Sequence, residues 1–138
     1  MQPDLSSSRC ARGWPRLVAS FRCAFAGLAD AWRCQQNLRI HAAFILAITG
    51  LGAFLRLDLL RWAILVLTYS LVLAAELLNS GLEALTDLAS PEYHPLARRA
   101  KDTAAAGVLV AAIGAIIVGL LVLGPPLWAR LGQWWSRR

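Results

Sequence analysis

Charge is what this sequence has least of: 14 basic and 8 acidic residues make up only 16% of its 138 positions. Soluble domains carry about 25%, so a freely dissolved globular fold is not expected. Cysteine is sparse as well. Cys10, Cys23 and Cys34 are odd in number and lack metal-site spacing, which leaves them as structural fillers, on a face where thiols stay reduced. There is no Gly-rich phosphate loop of the Walker type and no protein-kinase catalytic-loop signature. A nucleotide site would therefore have to be assembled from helix ends. Nothing resembles a base-reading element, so no nucleic-acid partner is expected. The net charge of +6 is assigned instead to anionic lipid headgroups and nucleotide phosphate. The polar segment Met1 to Pro15 lacks an apolar h-region, and no cleavable signal peptide is expected.

What is abundant is apolar side chain, 58% of the sequence. A membrane span needs about 20 mainly apolar residues, and three segments qualify or nearly so: about 41–57, 59–89 and 100–123. Lys and Arg concentrate in cytoplasmic loops. Arg9, Arg12, Arg16, Arg22, Arg33 and Arg39 precede the first span, and Arg98, Arg99 and Lys101 lie between the second and third. Both segments are placed inside. The short connection with Arg56, Asp58 and Arg61 falls outside, as does the tail with Arg130, Arg137 and Arg138, whose basic character runs against this orientation.

Residues 1–13 are read as a flexible N-terminus and 14–124 as one membrane domain. From about 14 to 36, Leu17, Phe21, Phe25, Leu28 and Trp32 recur at steps of three and four, while Arg16, Ser20, Asp30 and Arg33 lie largely off that stripe. This predicts an amphipathic helix lying on the membrane surface. Gln35 to His41 forms a polar lead-in to the first span, with His41 as an interfacial hydrogen-bonder. Residues 125–138, with Pro125, Pro126, Trp128, Trp134 and Trp135, read as a C-terminal interfacial tail.

The second span changes character at Glu76. At 100° per residue, Glu76, Asn79, Glu83 and Asp87 fall at roughly 0°, −60°, −20° and +20° around the helix axis. They share one face. The preceding run from Trp62 to Ala75 is apolar on every side, so this face begins inside the membrane, where ionisable groups are expensive and mark working sites. With about 1.5 Å of rise per residue, Asp87 lies roughly 16 Å beyond Glu76, which puts Glu76 deep and Asp87 near water. A polar clasp between helices, or a proton relay in a small transporter, would use the same spacing.

Two prolines within Ala89 to Leu96 break the helix into a loop. The loop leads to Arg98, Arg99, Lys101 and Asp102, then to a small-residue stretch including Ala105 that permits close helix approach. Cations and carboxylates thus converge at one membrane face. That combination suits phosphoryl transfer: basic groups hold phosphate, carboxylates hold Mg²⁺, and a further carboxylate takes a proton from a hydroxyl.

Glu76-Leu77-Leu78-Asn79-Ser80-Gly81-Leu82-Glu83, followed by Asp87, Glu92-Tyr93-His94 and Ala100-Lys101-Asp102, resembles the small prokaryotic integral-membrane diacylglycerol kinases, a family that includes undecaprenol kinases. The likeness extends from about Arg16 to Leu123. Asn37-Leu38-Arg39-Ile40-His41 and His94-Pro95-Leu96-Ala97 look closer to the Gram-positive and cyanobacterial branch. The resemblance implies an all-α integral-membrane fold, with a surface helix and three transmembrane helices. It also implies a homotrimer with shared active sites, at the cytoplasmic face of the inner (plasma) membrane. The implied reaction moves the γ-phosphoryl of MgATP to diacylglycerol or undecaprenol.

Carried across by position, the resemblance makes Glu76 the general base on the lipid hydroxyl, with Asn79 beside it. Glu83 and Gln35 take the metal. Arg16, Cys23, Gln35, Glu83, Asp87, Glu92, His94, Lys101 and Asp102 contact the nucleotide or its metal, and Trp32 and Ala105 join Glu76 around the lipid. Two positions depart from the family pattern. Gln35 stands where a glutamate often completes the metal site, and Cys23 stands where an aromatic is expected.

Overall fold

A computed structural model describes residues 14–136; the segment 1–13, with Cys10, and the terminal Arg137 and Arg138 lie outside the described residues. The described chain is all-helical: α1 (Trp14–Cys34), α2 (Gln36–Leu55), α3 (Leu59–Ala89) and α4 (Pro95–Trp135). It divides into two units between Cys34 and Gln35.

The first described unit is α1, in which no residue is buried. Leu17, Phe21, Phe25, Leu28 and Trp32 are all exposed on it. The Ser20 hydroxyl is turned inward, donating to the Arg16 carbonyl at 3.0 Å.

In the second unit α3 packs along α4, and α2 touches both. All three helices are long and apolar enough to cross a membrane. At about 1.5 Å per residue α2 covers roughly 30 Å and α3 roughly 46 Å, against a hydrocarbon core of about 30 Å. Leu46, Leu67, Leu71, Leu120 and Leu121 point away from the packed interior. Water penalises such a surface, whereas hydrocarbon accepts it because every backbone group of a helix is already satisfied.

The buried cluster lies where α2 turns into α3. Leu55, Leu57 and Leu65 meet Val122 and Leu123 of α4, with Trp62 and Tyr69 packed against them. Gly52 allows this closeness, since a Cβ there would stand 3.1 Å from the Trp62 ring and from Leu57. Arg56 closes α2 in the left-handed region, at φ 54°. Its N–H donates to the Ala53 carbonyl at 3.1 Å while that of Leu57 donates to Gly52 at 3.2 Å. This is a Schellman closure, which satisfies the last carbonyls of the helix. Asp58 then caps α3, its Oδ1 accepting from the Arg61 N–H at 2.9 Å.

Boundaries differ from the sequence reading in three places. α1 stops at Cys34 because Gln35 is extended (φ −103°, ψ 112°), and the polar lead-in becomes the first turns of α2. α4 starts at Pro95, where the His94 side chain caps the helix and a proline at the first position loses no needed N–H. It also continues through Pro125 and Pro126 to Trp135, so the tail beyond residue 124 is the end of a long helix.

Candidate active site

The helices alternate in direction, so the start of α2, the end of α3 and the start of α4 meet at the end of the bundle opposite the Arg56 turn. The acidic face of α3 runs through this junction with a gradient of burial. Glu76 is 2% exposed and Asn79 7%, Glu83 is half-buried, and Asp87 is exposed. Helical periodicity put these four on one face, and packing against α2 buries only its deep end.

Glu83 is held from its own helix and from the extended residue before α2. Asn79 Nδ2 donates to its Oε1 at 3.0 Å, and Gln35 Nε2 donates to its Oε2 at 3.4 Å. Glu76 has a different neighbour: His41 Nε2 on α2 lies 3.0 Å from Glu76 Oε1. This is an approach without hydrogen-bond alignment, so Glu76 Oε1 stays an unsatisfied buried acceptor, as does Asn79 Oδ1. The Ser80 hydroxyl goes to the Glu76 backbone carbonyl at 2.9 Å.

Beyond this cluster, Asp87, Glu92, His94, Lys101 and Asp102 line one shallow pocket of about 300 Å³ together with Thr86, Ser90 and Arg98. Four of its charges pair internally. Lys101 Nζ bonds Asp87 Oδ1, and Arg98 Nε stands 3.5 Å from Asp102 Oδ2. His94 also has a local task, its Nδ1 accepting from the Leu96 N–H at 3.2 Å. Exposed pairs of this kind hold weakly, by about 0–1 kcal/mol, so an incoming polyanion can draw the cations away.

On the other side of Glu76 an apolar cavity of about 200 Å³ opens among α2, α3 and α4. His41, Phe44, Ile48, Leu65, Tyr69 and Val72 are among its walls, with Ala112, Ala115 and Gly119 supplied by α4. Ala105 is exposed on α4 and is not part of that lining. Arg16, Cys23 and Trp32 are exposed residues of α1, the separately described unit.

Among the described residues no group of three His, Cys, Asp or Glu side chains is gathered as a metal centre. A magnesium ion does not need one, because it is commonly held by one or two carboxylates together with substrate phosphates. The donors present fit such a shared site: Glu83 offers a carboxylate, Asn79 Oδ1 is an unpaired buried oxygen, and Gln35 offers an amide oxygen.

Two features escaped the sequence reading, the pairing of His41 with Glu76 and the cavity itself. A signal existed in the steps from His41 to Phe44, Ile45 and Ile48, which place one polar ring on the same face of α2 as the cavity walls.

The family model described as prokaryotic diacylglycerol kinase matches residues 22–123. A diacylglycerol kinase of Synechocystis sp. is 46% identical over 114 residues, which cover 82% of this chain and 65% of that protein. The undecaprenol kinase of Bacillus subtilis is 37% identical over 112 residues, 81% of this chain and 91% of its own length. The diacylglycerol kinase of Escherichia coli K12 is 32% identical over 120 residues, 87% of this chain and 95% of its own. The chain thus spans just under two thirds of the Synechocystis protein and nearly all of the other two.

Proposed function

This chain belongs to the prokaryotic diacylglycerol kinase family, and we propose that it is an integral-membrane lipid kinase moving the γ-phosphoryl of MgATP to a membrane-lipid hydroxyl. The acceptor is diacylglycerol, giving phosphatidic acid, or undecaprenol, giving undecaprenyl phosphate. Relatives bear both names. The observation that carries this reading is the position of Glu76: a buried carboxylate with an unsatisfied oxygen, between an apolar cavity and a pocket of paired charges.

The part of the acceptor lipid next to its hydroxyl enters the cavity, and the hydroxyl reaches Glu76. The hydroxyl oxygen attacks the γ-phosphorus, its proton passes to the Glu76 carboxylate, and the bond to the β,γ-bridging oxygen breaks as ADP leaves. Asn79, one turn on, steadies Glu83 through its amide. Lys101 and Arg98 exchange their carboxylate partners for phosphate oxygens. Asp87, Glu92, His94 and Asp102 frame the nucleotide in the same pocket. Magnesium, held by Glu83 with Asn79 and Gln35, would neutralise charge on the transferring phosphate.

In this reading α1 lies on the membrane surface with its apolar stripe toward lipid, Arg16 and Cys23 meet the nucleotide, and Trp32 and Ala105 flank the acceptor. The active unit is a homotrimer at the cytoplasmic face of the plasma membrane. A proton-coupled transporter using Glu76 is not favoured, since the acidic face runs on to an exposed charged pocket rather than staying enclosed. The test supplies the purified full chain in mixed micelles with MgATP and either lipid. Phosphorylated product with at least one acceptor is expected; none with either would overturn the proposal.

A further inference from the structure

Glu76 is 2% exposed, and a carboxylate so placed is costly unless something compensates it. The cations of the described residues that form ion pairs are engaged elsewhere: Arg61 with Asp58, Arg98 with Asp102, Lys101 with Asp87. On its own helix Glu76 is flanked by Val72, Asn79 and Ser80, whose amide and hydroxyl are turned to Glu83 and to a backbone carbonyl. From α2 the ionisable group that reaches it is His41, with Nε2 at 3.0 Å. The same ring lines the apolar cavity beside Phe44 and Val72. One imidazole therefore touches both the carboxylate and the space that the acceptor lipid would enter.

We propose that His41 is a positioning residue for Glu76. Its ring stands against Oε1 at 3.0 Å and fixes the orientation of the side chain in an apolar setting, so that the other carboxylate oxygen faces the acceptor hydroxyl. His41 makes and breaks no bond in the transfer: the hydroxyl proton goes to Glu76, and the phosphoryl group goes to the lipid oxygen. The inference rests on the kinase reading above and deepens its account of that site.

The experiment compares His41→Leu and His41→Gln in the full chain, the glutamine being able to place an N–H near the position of Nε2. Expected for His41→Leu is a fall in kcat of about tenfold or more with the KM for ATP within about twofold, and substantial recovery in His41→Gln. Added to Glu76→Gln, His41→Leu should lower the residual rate no further. Undiminished kcat in His41→Leu, equal losses in both variants, or a matching loss of ATP affinity would overturn the proposal.

A second readout needs no turnover. A hydrophobic carbodiimide reaches carboxyl groups from an apolar space such as this cavity, so with the ring beside Oε1 removed, mass-spectrometric labelling at Glu76 should rise severalfold in His41→Leu over the unsubstituted chain. Equal labelling overturns the role of His41 even if neither lipid is phosphorylated, an outcome that would by itself sink only the kinase reading.

Discussion

Gln35 and Glu83, 48 residues apart, are joined by a hydrogen bond of 3.4 Å from the Gln35 amide nitrogen to Glu83 Oε2. The bond ties the extended residue before α2 to the half-buried part of the acidic face of α3. It also leaves Glu83 as the only carboxylate of that local group, since its other partner, Asn79, is an amide too.

Replacing Gln35 by glutamate puts a second carboxylate beside Glu83. Like charges at this separation repel without a cation and bind one better. Gln35→Glu should lower the Mg²⁺ concentration for half-maximal rate by about threefold to tenfold. It should also make thermal stability rise with added Mg²⁺. A Mg²⁺ titration unchanged in both respects would separate Gln35 from the metal.

Glu76→Gln keeps the shape of the side chain and removes the proton acceptor. General-base contributions run to about 10²–10⁴-fold, so kcat should drop by that order while ATP binding, followed by equilibrium titration, stays within about twofold.

Glu83→Gln removes a carboxylate that both Asn79 and Gln35 engage. Here ATP affinity and Mg²⁺ response should weaken together, by about tenfold each. Equal loss of nucleotide binding in Glu76→Gln and Glu83→Gln would dissolve the division of roles between the two acids.

Lys101→Met breaks the pair with Asp87, whose side chain is 66% exposed. A surface pair contributes about 0–1 kcal/mol, so the melting temperature should barely move. The KM for ATP should rise about tenfold or more, because the phosphate loses a charge-assisted partner. A large loss of stability with unchanged KM would make Lys101 a structural residue.

At the far end of the bundle, Arg56 holds a left-handed conformation that favours glycine. Arg56→Gly should stabilise the protein by up to about 1 kcal/mol, read as a higher unfolding temperature in detergent, with kcat unaltered. Destabilisation would mean that the side chain matters more than its backbone strain.

The sequence by itself determined the helices and the shared face of Glu76, Asn79, Glu83 and Asp87. Both follow from local periodicity, since long apolar runs leave few alternatives in lipid and 3.6 residues per turn sets which side chains align. Position along the chain also set the order of the acids, with Glu76 next to the apolar run and Asp87 nearest the loop. What only the tertiary structure decided is what each acid meets. The axial register of α2 against α3 brings His41 to Glu76 and Gln35 to Glu83 across separations of 35 and 48 residues, and that register comes from packing, through Gly52 against Trp62 and Leu57. The apolar cavity belongs to the same level, because its walls come from three helices and no single one carries the pattern. Continuation of α4 through Pro125 and Pro126 was hidden for a related reason: local proline chemistry argues for a stop, while contacts made by Leu127 with the buried cluster carry the helix onward.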